Sequence, residues 1–266
     1  MKKSYFLLNK YTLSLLILLL CLAVDIILHK GMTRVLIPKS FTLNRTPQYL
    51  KLCEQPLVVS DKKWSKAVNT VQRMEQLPAG TAGLEMDVYF DTSKNILQVY
   101  HDSSESSRPF IEDILNVYKA RQLMASIWLD FKNLNTVNEV KSVRYISYLR
   151  KRYQLQNKII VESSVPQCLP VFCDSGFFTS YYTPFFNPYQ LTEAQITSVI
   201  DTISGNLKKY PASALSGYYF QYPLLKKFFP GYPVLIWAEK DRYSFVSNVF
   251  NYSLGNEPQV KIVLYP

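Results

Sequence analysis

The sequence predicts a compact (β/α)8 TIM barrel preceded by an N-terminal transmembrane helix. After residue 62, eight short apolar runs alternate with seven amphipathic stretches, and this alternation within about 200 residues is typical of a β/α barrel. A doubly wound sheet would alternate in the same way. However, no glycine-rich phosphate loop follows any run, and the chain has only 8 glycines, which favours the barrel.

The first element is an apolar segment, residues 11–28, that reads YTLSLLILLLCLAVDIIL and contains Asp25 as its only charge. As a helix it would extend roughly 27 Å, enough for a thin bilayer. Lys2, Lys3 and Lys10 precede it, so we interpret it as an uncleaved signal anchor after a short tail, residues 1–10. A cleaved signal peptide and a buried core helix are the alternatives. We expect a single-pass membrane protein with its main domain on the extracytoplasmic side.

Charge and cysteine content narrow the class of protein. The net charge is +10, but residues 1–45 carry +6 of it, so the rest of the chain is only weakly basic and we expect no nucleic-acid partner.

Of the 4 cysteines, Cys21 lies in the apolar segment. The other three, Cys53, Cys168 and Cys173, allow at most one intramolecular disulfide, whose pairing the spacing leaves open, and none has zinc-site spacing.

Residues 29–62 are basic and then polar, and they contain Pro38, Pro47 and Pro56. This composition predicts a linker with a short helix around Gln48–Glu54. The barrel domain is then residues 63–266. Of the chain's two histidines, we place His29 at the membrane exit, outside this domain.

The predicted strands of the barrel are Trp64–Val68, Leu84–Phe90 with a returning run Ile96–Tyr100, Ser126–Phe131, Lys158–Glu162, Phe177–Tyr182, Ala214–Phe220, Pro233–Trp237 and Val260–Leu264. The predicted helices between them are Val71–Leu77, Phe110–Leu123, Val137–Leu155, Gln167–Cys173, Glu193–Leu207, Leu224–Phe229 and Ser244–Leu254.

Polar residues concentrate on the second strand. Glu85 and Asp87 are two residues apart in an apolar run, so both carboxylates point to the same side. Two buried acids on one face repel each other and lose hydration unless a cation or hydrogen-bond donors compensate, which indicates a site. A solvent-facing pair at the strand end is the alternative.

Two further groups follow at the same predicted end of the sheet. His101 closes the next apolar run, and it comes near the acids if residues 92–95 form a tight turn. Asp130 and Lys132 alternate onto one face at the carboxyl end of the following strand, where barrel enzymes place reactive groups.

Glu-x-Asp, then His-Asp, then an acid-x-Lys strand resembles the glycerophosphodiester phosphodiesterase branch of the phospholipase-C-like TIM barrels. Ile236-Trp237 resembles the late tryptophan-bearing strand of that family, and Glu162-Ser163-Ser164 resembles its serine-bearing strand end, with a plain strand cap as the alternative. Residues 64–70, WSKAVNT, resemble the first strand of menorin-like proteins.

The resemblance implies a role for each of these residues. Glu85, Asp87 and Asp130 would bind a divalent cation, and three carboxylates suit Mg²⁺ or Ca²⁺. His101 would act as the catalytic acid or base. The substrate, a phosphodiester or lipid head group, would contact three residues, Lys132, Glu162 and Trp237.

The chain departs from this family at Lys66, which stands where the family has a first-strand histidine. A protonated lysine binds phosphate but cannot act as a base, so Lys66 can replace the histidine as a catalytic residue only if it loses its proton. The chain is therefore either a phosphodiester hydrolase or a degenerate barrel that binds a phosphorylated ligand, a lipid or a protein. A purely structural envelope protein would require the acids to be scattered.

Overall fold

The computed structural model of the chain describes residues 10–38, 41, 43, 45–102, 104 and 108–266, so the predicted tail lies outside it up to residue 9. The strands are β1 Lys63–Ser65, β2 Gly83–Asp91, β3 Ile96–Val99, β4 Ser126–Phe131, β5 Ile159–Ser163, β6 Phe178–Tyr182, β7 Ala214–Tyr218, β8 Val234–Trp237 and β9 Val260–Tyr265. The helices are α1 Lys10–Leu28, α2 Lys30–Leu36, α3 Val71–Glu75, α4 Ile111–Ala120, α5 Glu139–Arg152, α6 Leu169–Asp174, α7 Glu193–Lys209, α8 Tyr222–Phe228 and α9 Phe245–Asn256.

Eight of these strands form a closed parallel barrel in the order β1, β9, β8, β7, β6, β5, β4, β2, and the pairing of Ser65 with Leu84 closes the ring. The remaining strand, β3, returns antiparallel beside β2. The predicted TIM barrel is therefore confirmed. β1 ends at Ser65 rather than Val68, because Ala67 adopts a positive φ of 55° that a strand does not accommodate.

The barrel interior is apolar in its lower part. Side chains from most of the strands form one buried cluster, which begins there and reaches the mouth at Trp237: Trp64, Trp128, Ile160, Phe178, Ala214, Leu235, Trp237, Ile262 and Leu264. Two further clusters fill the space between the sheet and the surrounding helices. This packing fixes the strand register, and the register determines which side chains reach the upper, carboxyl end of the barrel.

Residues 45–59 of the predicted linker lie against the barrel. The helix predicted around Gln48–Glu54 is wrong: the segment has no helical turns, and its amides bond the barrel instead, with Gln48 N donating to Phe228 O (2.7 Å) and Cys53 N to Ala212 O (3.0 Å). Leu57 and Val59 then pack against the interior cluster from below. This segment therefore closes the lower end of the barrel.

Cys53 and Cys173 form a disulfide, which joins the segment below the barrel to the end of α6. The pairing that spacing left open is thus settled by the fold. Cys21 and Cys168 are free thiols, the first exposed and the second buried.

The first part of the predicted linker forms α2, and His29 immediately precedes this helix. His29 does not lie outside the domain as predicted: its Nδ1 is 3.2 Å from Ser244 Oγ, and its Nε2 is 3.5 Å from Asp241 Oδ2. Before it, α1 has no buried residue and is long and apolar enough to cross a membrane.

Removing the disulfide with the double change Cys53→Ser and Cys173→Ser should lower the free energy of unfolding by about 2–5 kcal/mol, because the cross-link closes a long loop in the unfolded chain. Denaturant unfolding of the full chain in detergent measures this. Cys21→Ser is the control, and it should leave the unfolding free energy unchanged. Four reactive thiols in the unreduced, denatured protein would contradict the disulfide.

Candidate functional site

Register places a row of acids across three neighbouring strands. Asp87 on β2 pairs with Asp130 on β4, and Asp130 pairs with Glu162 on β5. Glu85 lies two residues before Asp87 on the same face of β2. All four carboxyl groups are buried at the upper end of the barrel.

Three of these acids converge on one point. Ligand oxygens of Glu85, Asp87 and Asp130 all lie within 4.8 Å of one another. The predicted metal ligands are thus brought together. The scattering that a purely structural protein would require is not found.

Lys132 follows the end of β4 and reaches back over the row. Its Nζ lies 2.7 Å from Asp87 Oδ1 and 2.5 Å from Asp130 Oδ2. Burial acts to lower the pKa of its ammonium group, but the two carboxylates outweigh burial and raise that pKa. Lys132 therefore remains charged, and it neutralises part of the negative charge of the row.

Two residues that follow β1, Ala67 and Asn69, complete the site, and the sequence analysis predicted a role for neither. Ala67 N donates to Glu85 Oε2 at 2.7 Å, and the positive φ of Ala67 accompanies this turn toward β2. Asn69 donates from Nδ2 to Asp87 Oδ2 at 2.6 Å and accepts from Asp87 N at 3.0 Å. An asparagine in the WSKAVNT segment, next to a strand end, was the available signal.

The carboxyl groups of Glu85, Asp130 and Glu162 hold protons more tightly than usual. Burial, followed by the charge of Asp87, raises the pKa of Glu85 to about 8, against the lowering effect of the Ala67 amide. Burial likewise raises the pKa of Asp130, although Lys132 acts in the other direction. The pKa of Glu162 is raised well above its ordinary value by burial and by Asp130, and the Ser216 hydroxyl and Lys132 oppose this only in part.

This donor set fits a hard divalent cation. Oxygen ligands from carboxylates are those that Mg²⁺ and Ca²⁺ prefer. Lys132 supplies one positive charge beside four carboxyl groups, and the raised pKa of Glu85 reflects a shortage of positive charge at this point. The residues that would hold the cation are Glu85, Asp87 and Asp130.

The other predicted site residues lie around this centre. His101 is exposed after β3; the preceding residue, Tyr100, donates from its amide to Asp87 O at 3.1 Å, so His101 lies at the same end of the barrel as the acids. Lys66 is half-buried after β1; its backbone amide donates to Tyr265 O at 2.8 Å, and its side chain has no hydrogen bond or ion pair with the described residues. Glu162 is fully buried, and neither of its oxygens has a hydrogen bond of normal geometry within the described ranges.

Trp237, the last predicted residue, lies on the opposite side of the barrel mouth at the end of β8. Its ring centroid is 4.7 Å from that of Tyr182 on β6 and 5.6 Å from that of Tyr218 on β7. Phe185 extends this group outward, 5.3 Å from Tyr218. One half of the mouth is therefore acidic, from β2, β4 and β5, and the other half is aromatic, from β6, β7 and β8.

The Glu85 carboxyl alone should make the stability of the metal-free protein fall as pH rises from about 5 to about 8, by up to about 1.4 kcal/mol per pH unit. In the unfolded chain Glu85 releases its proton near its ordinary pKa of 4.5, whereas in the folded chain it does so near 8, so over this interval the unfolded state binds fewer protons. Denaturant unfolding with EDTA at several pH values measures the slope. Glu85→Gln should flatten it, and an unchanged slope in that variant would contradict the assignment.

Mg²⁺ or Ca²⁺ should raise the melting temperature of the wild type, because the cation binds the folded protein alone. Asp130→Asn should remove most of this shift. Asp91→Asn is the matched control, because Asp91 lies at the outer end of β2 and its carboxylate binds Ser93 instead. Equal shifts in all three proteins, measured by thermal denaturation, would exclude a cation site at Asp130.

No protein-family model matches the chain, and no curated protein matches it. Solved structures do resemble it. A glycerophosphodiester phosphodiesterase from Parabacteroides distasonis has a TM-score of 0.53 and 16% identity, over 77% of this chain and 93% of that one. A phosphodiesterase from Oleispira antarctica in complex with the product sn-glycerol-3-phosphate has a TM-score of 0.52 and 15% identity, over 79% and 93%.

At such low identity these likenesses concern the fold, and the narrower resemblance to menorin-like proteins stays a prediction. The chain has the TIM-barrel fold of the solved glycerophosphodiester phosphodiesterases.

Proposed function

We propose that this protein is a membrane-anchored phosphodiesterase that hydrolyses a glycerophosphodiester or lipid-type phosphodiester with Mg²⁺ or Ca²⁺. One observation carries the proposal: Glu85, Asp87 and Asp130 converge within 4.8 Å at the mouth of a barrel. The barrel shares its fold with glycerophosphodiester phosphodiesterases, which supports this chemistry over other uses of three acids.

When bound by these three acids, the cation would neutralise the phosphodiester and polarise it for attack. Lys132 is already within ion-pair distance of two of them, so it is placed to hold a phosphate oxygen beside them. Its raised pKa means that it contributes charge and does not accept a proton.

His101 is the group assigned to proton transfer. In hydrolysis the oxygen of water bonds to phosphorus and the water releases one proton, the ester P–O bond breaks, and the leaving oxygen takes one proton, giving a phosphomonoester and an alcohol with no net change in protons bound to the enzyme. The exposed imidazole of His101, on the same side as Asp130, can supply that proton. Glu162 and Trp237 remain predicted substrate contacts, and the burial of Glu162 favours an indirect role through Asp130.

The anchor and the disulfide support the proposed location. α1 has the length and composition of a single membrane span. Disulfides persist outside the cytoplasm, so Cys53–Cys173 favours an extracytoplasmic barrel.

A second candidate function rests on Lys66. A lysine in place of the family's first-strand histidine leaves His101 without an imidazole partner, and loss of one acid or base lowers rates by roughly 10²–10⁴-fold. The alternative is therefore a degenerate barrel that binds a phosphorylated or lipid ligand or a protein.

Glycerophosphodiester hydrolysis in the presence of Mg²⁺ or Ca²⁺ distinguishes the two functions. We expect wild-type activity, a decrease of roughly 10²–10⁴-fold in His101→Ala, and a gain in Lys66→His. Lys63→His is the control for the gain, because Lys63 is exposed on β1, three residues before Lys66.

An inactive wild type with activity gained in Lys66→His would favour the degenerate barrel. Equal activity in wild type and His101→Ala would remove His101 from the mechanism.

A further inference from the structure

The last turns of α1 are fastened to the barrel by polar contacts. Asp25 Oδ2 accepts a hydrogen bond of 2.9 Å from Val246 N at the start of α9. His29 lies 2.9 Å from Asp25, and it also contacts Ser244 and Asp241. The end of the proposed membrane helix is thus held in a defined position on the barrel.

This attachment is at the mouth and not at the lower end. α9 follows β8, so its first turn lies at the carboxyl end of the barrel, near Trp237. α2 continues from α1 along the same rim, where Gly31 approaches Tyr219 so closely that an added Cβ would come within 2.8 Å of the hydroxyl. The membrane helix therefore leaves the protein from the rim of the candidate site.

Two exposed aromatic residues stand beside the helix at this rim. Tyr243 is 83% exposed and Phe245 is 64% exposed. Together with apolar side chains of α1 they line one open groove, whose α1 residues include Leu18, Cys21, Leu22 and Leu28. From Leu28 back to Leu18 a helix rises about 15 Å, so these aromatics lie at the level of the helix's apolar half.

The aromatic half of the barrel mouth continues toward this groove. Phe185 packs 5.7 Å from Phe220, Phe220 lies 5.4 Å from Tyr219, and Tyr219 lies 5.2 Å from Phe250 of α9. A chain of packed rings thus runs from the mouth to α9, the helix whose first residue, Phe245, lines the groove beside α1. The acidic half faces away from it, on β2, β4 and β5.

We propose that Tyr243 and Phe245 insert into the bilayer beside α1 and hold the barrel mouth against the membrane, so that the substrate is a phosphodiester head group of a lipid in that membrane. This rests on the proposed function for its chemistry. The lipid's apolar part lies along the aromatic half, and its phosphate reaches Lys132 and the three acids.

Insertion here is apolar and not driven by charge. The loop before α9 carries Lys240 and Arg242, but Glu239 and Asp241 balance them. A tyrosine ring with its polar hydroxyl settles at membrane interfaces, which suits Tyr243, and the fully apolar ring of Phe245 adds apolar area that the bilayer can bury. Contact of the barrel mouth with the membrane should therefore persist in vesicles of zwitterionic lipid.

The first arm tests insertion without any activity. The full chain carrying Phe245→Trp is reconstituted in phosphatidylcholine vesicles with bromine on the acyl chains, and its added tryptophan fluorescence is measured against wild type. Tyr252→Trp is the matched control, because Tyr252 is an even more exposed aromatic residue farther along α9. We expect quenching at position 245 and little at position 252; equal quenching, or none at either, would overturn the insertion.

The second arm tests the substrate. Hydrolysis of a monoacyl glycerophosphocholine in the vesicles is compared with that of acyl-free glycerophosphocholine in solution. The double change Tyr243→Ser and Phe245→Ser should lower the rate on the lipid about tenfold, the factor that about 1.4 kcal/mol of lost insertion produces, and leave the soluble rate within about twofold. Tyr252→Ser should change neither rate.

Preference of the wild type for the soluble ester, or equal loss on both esters, would overturn the lipid assignment while leaving the proposed hydrolysis intact. Hydrolysis of neither ester would reject the proposed function and the lipid assignment together, and the quenching result would still decide whether the mouth contacts the membrane.

Discussion

The excess of buried negative charge at the barrel mouth is the constraint on which the rest of the site depends. Asp87, Asp130 and Glu162 are adjacent in the sheet because three parallel strands place them in register. Glu85 lies two residues before Asp87 on the same face of β2. Bringing these groups out of water is costly unless each finds a donor, a proton or a cation. Lys132, the Ala67 amide and Asn69 supply donors, and the raised pKa of Glu85 shows that they do not suffice.

The apolar lower half of the barrel makes this arrangement possible. Trp64 and Trp128 fill the interior beneath the acids, and the segment carrying Leu57 and Val59 closes it from below. Because a packed interior excludes water and resists movement, the carboxylates cannot relax apart or hydrate. The disulfide between Cys53 and Cys173 joins the closing segment to α6. The stability of the lower end therefore helps to hold the carboxylates in place at the upper end.

Local patterns in the sequence were sufficient for some features and not for others. Alternation along β2 and β4 predicted the shared face of Glu85, Asp87, Asp130 and Lys132, because strand geometry is a local property. The pairing of Cys53 with Cys173 and the contacts of His29 depend on residues more than 100 positions away, which no spacing reveals. Residues 48–54 have helical composition, but hydrogen bonds to the barrel outweigh that weak preference. The role of Asn69 could not be predicted from the sequence, because it depends on the turn at Ala67.

Under the proposed hydrolysis, a lysine at position 66 is expected to affect product release as well as proton transfer. The amide of the next residue, Ala67, binds Glu85, so position 66 adjoins the carboxylate cluster. An ammonium group there adds positive charge that a neutral imidazole would not. Hydrolysis converts a singly charged diester into a monoester with nearly two negative charges, so each added positive charge stabilises the bound product more than the bound substrate. The positive charge around Glu85, Asp87 and Asp130 therefore decides how strongly the product is retained. The same charge thus determines whether the barrel acts as a slow hydrolase or as a phosphate-binding protein.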